Sequence, residues 1–111
     1  MNEPYAVDRK RWKNLSIFEQ MGNTAAEVGR TIQAKNAGDE AKFKAALIRT
    51  LDLFEATVEA QSVDKPYRVK EILRAEDQFL QIFFGGHGSD AEENKLQNYF
   101  MQYAIAARLH R

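Results

Sequence analysis

Apolar residues recur every three or four positions through four successive segments. Each segment is bracketed by residues that start and stop helices. The pattern restricts the chain to an all-α fold, since the strict apolar–polar alternation of a strand is absent from it. In the first segment Ser16-Ile17-Phe18-Glu19 matches a capping box, in which Ser and Glu satisfy orphan backbone N–H groups. An equally good start lies at Asp8, with the helix running straight through Trp12. Phe18, Met21, Ala25, Val28 and Ile32 form one stripe at about 100° per residue. Gly38 suits a left-handed C-cap and Asp39 the next N-cap.

The second segment carries Phe43, Leu47, Leu51, Phe54 and Val58 on one face. The pattern breaks over 61–65, and Pro66 fits the first turn of a third helix. Its apolar face holds Val69, Ile72, Leu73, Phe79, Leu80 and Phe83. After a Gly-rich loop at 85–90, Ser89 or Asp90 caps a fourth helix with Leu96, Tyr99, Phe100, Tyr103 and Ala107. Helices are thus expected at about 16–37, 40–60, 66–84 and 91–109, behind an N-terminal lead of 1–8. Short connections favour antiparallel neighbours, so the expected architecture is an antiparallel four-helix bundle in a single domain over 1–111.

Hydrophobic residues make up 44% of the chain, enough to close a core and exclude global disorder. Sixteen basic and sixteen acidic residues cancel, which argues against a dedicated binder of nucleic acid or anionic membrane. With no cysteine, disulfides, thiolate metal sites and a thiol nucleophile are excluded. No apolar run has the length of a membrane span or a signal peptide, so the expected location is the cytoplasm.

Few polar residues stand out. Glu76 projects inside the arc of Val69, Ile72, Leu80 and Phe83, where a carboxylate must find a donor, stay protonated or reach the rim. Tyr99, Tyr103, Arg49 and His110 are its conceivable partners. A di-metal carboxylate centre wants Glu-x-x-His pairs, which are absent, so no metal and no cofactor is expected. The loop around His87 lacks the Lys-Ser/Thr of a phosphate loop and follows a helix, and reads as a connector. Glu27/Arg30, Arg49/Asp52 and Glu71/Arg74 have ion-pair spacing and form a candidate interaction surface. Arg9, Lys10, Arg11, Trp12 and Lys13 combine four cations with one ring, a candidate nucleic-acid contact. Gly22 and Gly29 border the first stripe and point to close approach of another helix. Ile48, Leu53, Tyr67, Phe84, Met101, Ile105 and Leu109 fall off the stripes, which favours self-association.

Several stretches resemble a group of small, uncharacterised all-helical proteins of bacteria and archaea. They are Asn23-Thr24-Ala25-Ala26-Glu27-Val28-Gly29-Arg30, then Ala46-Leu47-Ile48-Arg49-Thr50-Leu51-Asp52-Leu53-Phe54 with Thr57. Arg68, Glu71, Ile72, Arg74, Glu76 and Phe84-Gly85 complete the pattern, which covers the first three helices. The resemblance implies an all-helical fold and brings no activity, cofactor or active site. The expected function is a non-enzymatic interaction or scaffold module acting as a homo-oligomer, with a protein partner as a further possibility. The alternatives are a nucleic-acid-associated accessory protein, and a small-molecule pocket or enzyme around Glu76.

Overall fold

Both candidate starts of the first helix are used. The computed structural model describes residues 6–85 and 88–109. It contains α1 (Arg9–Lys13), α2 (Ile17–Ala37), α3 (Glu40–Asp64), a 3-10 turn (Pro66–Arg68), α4 (Val69–Phe84) and α5 (Asp90–Leu109). There is no strand among the described residues. Asp8 Oδ1 accepts from the backbone N–H groups of Lys10 and Arg11 and caps the short α1. The chain then breaks, and Ser16 caps α2 with both halves of its box formed, Glu19 N to Ser16 Oγ at 3.1 Å and Ser16 N to Glu19 Oε1 at 3.0 Å. Gly38 ends α2 at φ 72°, the left-handed conformation that costs glycine least. Asp39 caps α3 through Lys42 N.

The helix α3 runs four residues past the expected end near 60. Gln61 is buried there instead of breaking the helix, and its amide is fully used. Gln61 Nε2 donates to Gln20 Oε1 at 2.8 Å, and Gln61 Oε1 accepts from Arg68 Nη1 at 3.1 Å. Gln20 Nε2 in turn donates to Trp12 O at 2.8 Å. One chain of amides therefore ties the end of α1, the start of α2, the end of α3 and the turn before α4. Each buried polar atom in it has a partner, which removes the desolvation penalty of an orphan.

The helix α2 packs against α3 and α5, and α4 packs mainly on α3, meeting α5 only sparsely. The Cα radius of gyration is 13.8 Å, close to the roughly 13 Å expected of a compact chain of this length. The main core joins Met21, Val28 and Ile32 to Phe54, Phe79, Ile82, Leu96 and Phe100. Phe54 is its hub, with ring centroids 5.9 Å from Phe79 and 6.0 Å from Phe100. A second, smaller core lies on another side of α3, where Trp12 packs with Leu53 and Ala56. Trp12 Nε1 donates to Thr57 Oγ1 at 3.0 Å, so the indole is buried with its one polar atom satisfied.

The expected stripe of α2 is buried at Met21, Val28 and Ile32, but on α3 only Phe54 of the expected stripe is fully buried, and the deepest line runs through Ala46, Thr50, Leu53 and Thr57. Leu73 is 48% exposed, because it lies about 100° around α4 from Ile72. Among the residues off the stripes, only Leu53 is buried, in the second core; Ile48, Tyr67, Phe84, Met101, Ile105 and Leu109 are exposed. The two helix-interior glycines differ. A Cβ on Gly22 would meet the Ala104 backbone at 3.4 Å, which marks close approach of α5. A Cβ on Gly29 would meet only Gln97 Oε1, at 3.8 Å.

This contrast predicts opposite outcomes in denaturant titrations. Gly29→Ala raises stability by about 0.5–1 kcal/mol, since the helix gains propensity at no packing cost. Gly22→Leu lowers it by about 1–3 kcal/mol, since α5 must move.

Candidate functional site

The charged residues with ion-pair spacing are divided among different tasks. Glu27 holds Arg30 on its own helix and also accepts from Arg49 Nε of α3 at 2.9 Å. Arg49 and Asp52 therefore do not pair along α3. Asp52 is turned toward the N-terminal segment, accepting from Val7 N at 2.7 Å and pairing with Arg9 Nη1 at 2.9 Å. Arg9 also donates to Glu59 Oε2 at 3.1 Å. Burial pulls its pKa down, but the hydrogen bonds to Asp52 and Glu59 outweigh this and leave it raised.

Glu71 is not paired with Arg74. Its Oε1 accepts from Tyr99 Oη at 3.1 Å and from Tyr103 Oη at 3.0 Å, and the two phenol oxygens lie 3.2 Å apart. Burial and the adjoining Glu71 carboxylate push both phenols above their ordinary range, so they stay protonated donors through neutral pH. The rings stand edge to face at 5.6 Å. Tyr99 and Tyr103 are thus brought together as expected from their spacing of four, but with Glu71 as their acceptor and not Glu76.

Glu76 is half-buried on α4, within electrostatic reach of Glu55 of α3. Burial raises its pKa and the charge of Glu55 raises it further. None of its conceivable partners among the described residues bonds it; His110, like His87, lies outside the described residues. The basic cluster is divided as well. Trp12 is buried and Arg9 is held by carboxylates, whereas Lys10, Arg11 and Lys13 are exposed. No group of three or more possible metal ligands occurs among the described residues, and no helix there is long and apolar enough to cross a membrane.

Sequence reasoning missed Glu93 as a buried residue. It is 4% exposed and accepts from Lys35 Nζ at 2.7 Å and Asn36 Nδ2 at 3.0 Å, linking α5 to the end of α2. Burial pushes its carboxyl up, but Lys35 and Asn36 outweigh that and hold it below the ordinary carboxylate range. It also missed the buried threonines. Thr31 and Thr50 face each other across α2 and α3 at 3.1 Å. Their signal was the spacing of seven in Thr24/Thr31 and Thr50/Thr57, which keeps each pair on one helix face.

No protein-family model, no curated protein and no solved structure matches this chain.

The two perturbed glutamates carry opposite pH signatures. Ionised Glu93 stabilises the fold above the ordinary carboxylate range, and this is lost as pH falls through its depressed pKa. Glu93→Gln should cost about 1.5–3 kcal/mol at neutral pH, with the gap to the parent closing in urea titrations as pH falls below the ordinary carboxylate range. The raised Glu76 favours folding below the ordinary range and loses that contribution as pH rises through its folded value. Glu76→Gln should therefore raise neutral-pH stability, by about 0.5 kcal/mol given its access to water.

Proposed function

We propose that the chain is a non-enzymatic interaction module, an antiparallel four-helix bundle that works as a homo-oligomer. The observation that supports this best is the outer face of α5. Met101, Ile105 and Leu109 follow one another at intervals of four and are 55%, 52% and 76% exposed. That spacing puts them on one stripe, pointing away from the Leu96 and Phe100 that α5 buries. Scattered apolar residues are ordinary on a surface, but a helical stripe of them fits a partner surface. Ile48, Val63, Leu73 and Phe84 add exposed apolar area on other helices.

The competing readings have less to stand on. A nucleic-acid role for Arg9, Lys10, Arg11, Trp12 and Lys13 needs a free ring and free cations, and the ring and Arg9 are already engaged. An active site around Glu76 needs the tyrosines beside it, and these bond Glu71. The resemblance to small bacterial and archaeal helical proteins adds helical character to this reading, and no activity.

Light scattering coupled to size exclusion, at low and high salt, tests the proposal. One multimeric mass at both salts is expected, because apolar contacts are not screened. Met101→Lys with Ile105→Lys should weaken self-association at least about 100-fold, since each buried residue contributes roughly 1.5–3 kcal/mol. A monomeric parent at both salts would remove the homo-oligomer from the account.

A further inference from the structure

The seam between α4 and α5 is open. These helices meet more sparsely than α2 with α3, α2 with α5 or α3 with α4, and long polar side chains line the seam. Two adjoining cavities result, of about 430 and 420 Å³, and they share Gln78 and Tyr99. Each alone lies in the usual range for small-ligand pockets. The buried side chains of Ala75, Ile82 and Leu96 close the floor of the trough, the half-buried ring of Tyr99 borders both cavities, and Tyr67 stands exposed at one end. From Arg74 to Gln81 the helix rises about 10 Å, the length of a two-ring aromatic system with one substituent.

The charges of the trough are unevenly used. Lys70, Arg74 and Lys95 line it and form no ion pair with any carboxylate of the described residues. Glu71 is the helical neighbour that would neutralise Arg74, but both phenols hold it. The tyrosine pair thus has a consequence beyond packing: it occupies the carboxylate and leaves the guanidinium to face the trough. Glu92 is the one other carboxylate in the lining, beside Lys95. Three cations against two carboxylates, one of them already bonded twice, favour an anion. Gln78 and Gln81 supply amides that can orient it.

We propose that the trough between α4 and α5 binds a small organic anion with a flat aromatic body. The anionic group is held by Arg74 and Lys70, and the ring system lies against Tyr99, above the floor that Ala75, Ile82 and Leu96 close. Binding of this kind is independent of self-association through α5, because Met101, Ile105 and Leu109 do not line the trough.

The probe is 8-anilinonaphthalene-1-sulfonate, titrated by fluorescence against the full chain, with amide chemical shifts recorded in parallel. The neutral analogue N-phenyl-1-naphthylamine is the counterpart without the sulfonate. The account expects shifts at Gln78, Gln81 and Tyr99. It also expects at least about tenfold weaker binding in the Lys70→Ala/Arg74→Ala variant and at least about tenfold weaker binding of the neutral analogue. Met101→Gln/Ile105→Gln should leave trough binding unchanged. Circular dichroism and thermal melting confirm that each variant is folded, and both substituted pairs are on the surface. Equal affinity in the Lys70/Arg74 variant, equal affinity for the neutral analogue, or shifts confined to the α5 outer stripe would each overturn the proposal.

Discussion

The helix α3 has to be buried on more than one side, and the rest of the molecule is arranged around that requirement. Leu53 and Phe54 are neighbours in sequence and point about 100° apart. Phe54 enters the main core among rings of α4 and α5, whereas Leu53 enters the second core against Trp12. A helix with one apolar face can be covered by a single layer of partners. This one is covered by α2 and α4 and, on a further side, by α1. Thr57 lies at the junction, accepting from Trp12 Nε1 while donating to the Leu53 carbonyl. The glutamine chain from Gln61 through Gln20 to the Trp12 carbonyl fixes how α1 lies on α3. The ion pairs of Arg9 with Asp52 and Glu59 close the same contact from its solvent side.

Local signals in the sequence were legible because their physics is local. Ser16, Gly38 and Asp39 mark helix ends through hydrogen bonds and dihedral angles set within a few residues and stand where expected, whereas Pro66 opens a 3-10 turn and the helix expected from 66 begins at Val69. The inward stripes of α2 and α5 follow from helical period alone. What escaped was set by residues distant in the chain. Gln61 looks like the end of an apolar pattern unless Gln20 and Arg68 are known to meet it. Arg49 and Asp52 have the spacing of a pair, but spacing fixes only what can reach. Glu27 and Arg9, on other helices, won the competition. Glu93 is buried because Lys35 and Asn36, on another helix, meet its carboxylate, which helical period alone does not reveal. Glu76 was read as inward from its angle, and it does lose part of its hydration. Its neighbour is another carboxylate, which no periodicity reveals.

Much of the charge on this protein is spent holding helices in register. Glu27, Asp52, Glu59 and Glu93 each bridge two segments, and Glu71 ties α4 to α5 through two phenols. Among the cations that pair with no carboxylate, Lys70, Arg74 and Lys95 gather along one seam, and Lys10, Arg11 and Lys13 on the short first helix. The apolar residues left over are informative in the same way, and the densest regular set is on the outer face of α5. The proposed self-association and the proposed anion site draw on these two separate remainders.

The central claim is that α3 joins the two cores into one cooperative unit. Trp12, the sole tryptophan, reports on the second core, and far-ultraviolet circular dichroism reports on the helices as a whole. Both signals should be followed through one urea titration. Coincident transitions with the same midpoint and slope are the predicted result, as two-state unfolding requires. A tryptophan transition completed at lower urea, with the helical signal intact, would show that α1 is an independent appendage and that α3 does not unite the cores.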